Sequence, residues 1–169
     1  PAAADRLFLD IGEKNSWDCG MVFLAEKPVR NGDEFWFYYG ASNVPHDRTG
    51  LCAIGLARTK AGRLLGVRSG PGQKGRVLTR PLTVQGDLHI NARATGSIRV
   101  QVTTVDDEIL PGYEAKDCTP FAGDALRHRV MWGNKSLSDL EGQTLRLRFY
   151  LEQAALYAFD LENGVRPRN

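Results

Sequence analysis

The sequence predicts an all-β protein: an antiparallel two-sheet β-sandwich of jelly-roll type, preceded by strands of a different character. Alternating segments such as 97–105 (SIRVQVTTV) and 144–151 (TLRLRFYL) carry this reading, with Gly, Pro, Asn or Asp marking their ends. Only 136–141 (SLSDLE), opened by Ser136, has the composition of a helical turn.

The elements follow in order. Residues 21–25 are an apolar run, and Lys27-Pro28-Val29-Arg30-Asn31-Gly32 then turns the chain back. Residues 33–39 gather Phe35, Trp36, Phe37, Tyr38 and Tyr39 and read as a strand buried on both faces, ended by Gly40. Residues 52–57 (CAIGLA) are short, apolar and uncharged, which suits a second buried strand whose Gly55 admits another backbone. The polar segment 41–50 joins them as a loop. The result is an antiparallel meander.

After Ala61-Gly62 the composition changes, and strands alternate with Arg and Thr on their exposed side. A domain boundary is expected there, with 1–61 and 62–169 as separate regions. In the second region 62–68 is a short strand and 69–75 a Gly- and Pro-rich loop. Pro81 confines 76–84 to a sheet edge or a bulge. Residues 87–94 and 97–105 form two strands with Gly96 between them, 125–132 another, and 144–151 and 156–161 close the series. About eight strands at short, regular spacing are the pattern of a sandwich.

Composition bounds the function. The 169 residues suffice for a sizeable core, with 42% hydrophobic and 25% charged residues. Net charge is +2 and the basic residues are scattered singly, which argues against a nucleic-acid partner. No apolar run approaches the ~20 residues that span a bilayer, so no membrane partner is expected. Cys19, Cys52 and Cys118 show no CxxC spacing and read as buried free thiols, with one disulfide as the alternative.

The segments NSWDCGMVF, GDEFWFYYGAS and AIGLA resemble the closing part of the five-bladed β-propeller of invertase-like and arabinanase-like glycoside hydrolases. The stretches GRVLTRPLTVQGDLHINARATGSIRVQV, GYEAKDCTPFAGDALRHRVMW and LRLRFYLEQAALYAF are similar to the β-sandwich appended to such propellers in bacterial proteins. The resemblance implies a non-catalytic C-terminal portion of a glycoside hydrolase-like protein, its first 61 residues being part of a propeller blade. A full propeller needs five sheets of about four strands, so an upstream propeller domain, or self-association through the N-terminal strands, is implied as partner. An extracellular or periplasmic location follows from the same resemblance. The alternative is an independent carbohydrate-binding module.

Candidate sugar contacts are few. Trp17 offers an indole for stacking and Asp18 a carboxylate for hydroxyl groups, although an Asp followed by Gly20 also has the composition of a turn. Asn43 takes the place where the resemblance puts an acidic or amide residue, and His46 lies on the same loop. Trp36, Tyr38 and Tyr39 read as core. Trp132, beside Gly133-Asn134-Lys135, and Tyr113, after Pro111-Gly112, read as an exposed aromatic pair of the kind that holds sugar rings. Asp117 and Asp124 flank the CTPFAG loop as candidate calcium ligands; no other cofactor is expected.

Overall fold

The computed structural model describes residues 8–161. Its chain is all-β with two antiparallel sheets, and the described residues contain no α-helix. Two compact units divide it, Pro1–Ala61 and Gly62–Asn169.

In the first unit, β1 (Met21–Leu24), β2 (Val29–Asn31), β3 (Glu34–Ser42) and β4 (Cys52–Lys60) form one sheet. β4 pairs with β3 along its whole length, while β1 and β2 share the other edge of β3. They act as one edge strand interrupted at residues 25–28. Gly40 does not end β3; it lies within it, opposite Phe23 and Ile54.

The expectation of strands buried on both faces is corrected here. Phe37 and Ala41 are buried, and segment 8–20 runs along their side, with Phe8 edge-on to Phe37 at 5.0 Å. The opposite side is open: Ile54 is 80% exposed, Phe23 61% and Tyr38 41%. An apolar sequence favours burial, but burial requires a packing partner, and no described residue of the first unit covers Phe23, Tyr38 and Ile54.

In the second unit, β8 (His89–Thr103) and β10 (Thr144–Asp160) are the long central strands, of 15 and 17 residues. β9 (Phe121–Arg129) lies beyond β8. The outer edge of β10 is taken in turn by β5 (Val67–Arg68), β6 (Lys74–Leu78) and β7 (Leu82–Thr83). Pro81, which lacks an amide hydrogen, falls in the break between β6 and β7.

The strand count therefore differs from expectation. Segments 87–94 and 97–105 belong to one strand, and 144–151 and 156–161 to another. Gly96 marks a bulge rather than an end: its register shift in β8 meets one at Gln153 in β10. A Cβ on Gly96 would lie 2.4 Å from the Glu152 carbonyl oxygen, so only glycine fits there.

One face of this sheet carries the core. Ile90, Ala92, Ile98, Val100 and Val102 of β8 meet Leu145, Leu147, Phe149 and Leu151 of β10, closed over by Val84, Leu88, Val130 and Leu137. Each large side chain buried there contributes about 1.5–3 kcal/mol. Leu137 begins a 3₁₀ turn, Leu137–Leu140, that Ser136 initiates, its amide donating to Asp139 Oδ2 at 2.9 Å. Of the cysteines only Cys118 is buried; Cys19 is half-buried, Cys52 is exposed, and all three are free thiols.

Candidate functional site

Trp17, Asp18 and Tyr39 come together on the covered side of the first sheet. The Trp17 indole stacks on the Tyr39 ring with centroids 5.8 Å apart and planes 22° from parallel. Gly55, opposite Tyr39 on β4, makes room for that ring: a Cβ there would lie 2.3 Å from Tyr39 Cζ. Asp18 accepts from the Ser16 hydroxyl at 2.7 Å and from the Tyr39 hydroxyl at 3.4 Å. Desolvation, then the Asp18 charge and hydrogen bond, push the Tyr39 phenol up. An indole face beside a hydrogen-bonded carboxylate is the chemistry of a sugar contact. Tyr39, read from sequence as core, is part of this group.

Asn43 and His46 do not join it through any bond seen here. Asn43 closes its own loop, its Oδ1 accepting from the Leu51 amide at 2.9 Å while its amide donates to the Leu51 carbonyl at 3.2 Å. His46 is exposed on that loop.

In the second unit the expected exposed aromatic pair is corrected. Tyr113 is 5% exposed and Trp132 2%. Their rings tilt against each other at 5.3 Å, and neither presents a stacking surface. Trp132 Nε1 donates to the Val100 carbonyl at 2.8 Å, and the Tyr113 hydroxyl donates to the Ser136 carbonyl at 3.3 Å. Burial, then the Asp139 carboxylate, raise the Tyr113 phenol. These polar ends find partners inside, which allows the rings to be buried.

Asp117 and Asp124 have other partners. Asp117 shares a hydrogen bond with Glu114, which raises Asp117 and lowers Glu114. Asp124 receives Arg63 Nη2 at 2.6 Å. Among the described residues no group of three or more His, Cys, Asp or Glu side chains is arranged to hold a metal ion. Neither Asp117 nor Asp124 belongs to such a group among the described residues.

The open side of the first sheet is the other notable surface. Register places Phe23, Gly40 and Ile54 in one cross-strand row, Tyr38 and Leu56 in the next, and Val29, Trp36 and Arg58 in a third. Directly opposed residues share a face, so the first two rows with Val29 and Trp36 form one apolar surface, bordered by Arg58, which pairs with Glu34 at 3.7 Å. Comparison of the chain with protein-family models, curated proteins and solved structures finds no match.

Proposed function

We propose that this chain is a non-catalytic, carbohydrate-related portion of a glycoside hydrolase-like protein, in which the first sheet packs against a further β-sheet. The jelly-roll and propeller-blade readings of the two units belong to this proposal. The observation that carries it is the apolar row set Phe23, Tyr38, Ile54 and Leu56, each at least 40% exposed on one sheet face. Covering a large apolar side chain is worth about 1.5–3 kcal/mol, and sheets bury such faces against other sheets. A contiguous apolar patch of this kind marks an interaction surface. Trp17 and Asp18 supply the carbohydrate contact.

The reading frame ahead of Pro1 is the direct test. Propeller-type repeats with paired acidic residues there support the proposal, and a stop codon immediately upstream overturns it. In solution, the chain alone is expected to bind an apolar dye, with Ile54→Asp/Leu56→Asp removing most of that binding. Robust turnover of chromogenic glycosides by the chain alone would contradict the non-catalytic role.

A further inference from the structure

Basic residues that are scattered singly in the sequence are gathered by strand register. Arg76 of β6, Tyr150 of β10 and Arg99 of β8 stand opposite one another in one row, so all three project from the same face. That face is the outer one, because Phe149 and Leu151 on either side of Tyr150 lie in the core. Arg148 follows on the same face two residues earlier, where it is paired with Asp107 at 3.1 Å.

The bulge preserves the pattern. Thr95 and Gly96 of β8 lie opposite the single Gln153 of β10 there, Gln153 has a φ of 44°, and Ala154 and Leu156 return to the core beyond it. Ala155 therefore takes the outer face, and its row partners are Arg68 on β5 and Arg93 on β8. Two arginines flank an alanine. With Ser69, Thr95 and Gln153 they line a cleft of about 460 Å³. Neither guanidinium forms an ion pair with a described residue; Asp124, opposite Arg93 on β9, is engaged by Arg63 at 2.6 Å. Like charges on either side of a small residue repel, and an anion between them removes that cost.

A second cleft on the same face, of about 290 Å³, is lined by Lys74, Ser97, Arg99, Lys116, Tyr150 and Glu152. Arg99 is anchored in it by a 2.7 Å bond to the Cys118 carbonyl. We infer that this outer face binds an anionic polysaccharide, a chain of sugars carrying carboxylate or sulfate groups, with oxyanions seated between Arg68 and Arg93 and beside Arg99. Two cationic clefts on one face suit a ligand whose charges repeat. Planar guanidinium forks suit its oxyanions.

Nucleic acid fits less well, because sheets that bind single strands present free aromatic faces for the bases. Here the Arg63 guanidinium already lies 4.7 Å over the Tyr157 ring, and Tyr150 stands between two arginines. The inference concerns the second unit and does not rest on the apolar face of the first. The two can fail separately.

Affinity electrophoresis of the whole chain against polygalacturonate, dextran sulfate, neutral dextran and single-stranded DNA tests it. Retardation by polygalacturonate or dextran sulfate, weakened by salt and absent with neutral dextran, is expected, and the stronger of the two anionic polymers identifies carboxylate or sulfate. Arg68→Gln/Arg93→Gln should weaken binding about tenfold, the scale of two partly exposed charge contacts. Lys27→Gln/Arg30→Gln removes equal charge from the first unit and should change binding less than about twofold if register rather than net charge is responsible. In the unaltered protein, bound polysaccharide should shield Arg68 and Arg93 from phenylglyoxal more than Arg30 and Arg48. No retardation by either anionic polymer, equal loss in both double variants, tighter binding of DNA at equal charge, or equal modification of all four arginines would each overturn the inference.

Discussion

Trp132 Nε1 donates a 2.8 Å hydrogen bond to the Val100 carbonyl, taking a place on the edge of β8 that a neighbouring strand would otherwise fill. The Val100 amide meets a side chain as well, donating to Cys118 Sγ at 3.2 Å. β9 pairs with β8 only as far as Ile98, and beyond it the Leu110 amide donates to the Val102 carbonyl and the Val102 amide to the Tyr113 carbonyl. The edge is thus completed by an indole, a thiol and a loop.

Removing only the indole donor isolates that contribution. Trp132→Phe leaves the buried Val100 carbonyl without its partner and should destabilise the second unit by about 1–3 kcal/mol, whereas Trp132→Ala adds a cavity and should cost about 3–5 kcal/mol. Urea unfolding followed by circular dichroism gives both values. Equal stability of Trp132→Phe and the unaltered chain would mean that the bond contributes nothing.

Arg63 is a second structural anchor. Its side chain, 7% exposed, reaches Asp124 Oδ1 at 2.6 Å, Asn91 Oδ1 at 2.8 Å, the Ala125 carbonyl at 3.0 Å and the Ala92 carbonyl at 3.2 Å. Arg63→Ala strips these acceptors at once and should cost about 3 kcal/mol; Arg63→Lys keeps the charge without the fork and should recover only part of it. Thermal melts of the two variants test the order, and a melt of Arg63→Lys matching the unaltered chain would show that charge alone suffices.

Two histidines set the response to acid. Burial, then the Arg127 charge, lower His89 despite Asp160 and Asp87 nearby, and burial, then His89, lower His128. Both therefore gain protons more readily unfolded, at the ordinary value near 6.5, so their contribution is complete above that pH and declines as pH falls from it toward the folded values. Asp87 acts lower on the scale: burial raises it, but hydrogen bonds from Ser138, Arg129 and Ser136 outweigh that and hold it below 3.8. The melting temperature should drop between about pH 7.5 and pH 5.5, and a His89→Gln/His128→Gln variant that folds should show a smaller drop. An unchanged drop would place the sensitivity elsewhere.

Much of the architecture was legible because strand periodicity is local. Alternation in 144–151 assigned Leu145, Leu147, Phe149 and Leu151 to one face, and all four are core residues. The turn at 136–141 was legible for the same reason. Gly96 misled because a glycine between two alternating segments looks the same in a turn and in a bulge; only the register shift at Gln153 on the other strand distinguishes them. At the candidate site, Trp17 and Asp18 were legible as neighbours, but their placement beside Tyr39 depends on a contact across more than twenty residues.

Local sequence carries the β character of the chain and the alternation of side chains in segments such as 144–151, since both follow from φ/ψ preference and the two-residue repeat of the pleat, but not where strands such as β8 and β10 end. Tertiary structure decided what each face meets. Trp132, beside a polar turn, is buried because an acceptor 32 residues away satisfies its N–H, and Ile54, in an apolar run, is exposed because no described residue of its own unit covers it. Arginines spread singly along the chain form one basic surface because pairing of β5, β6, β8 and β10 aligns them. Burial, partners and charge density are properties of long-range packing, so they arise only when distant strands are placed side by side.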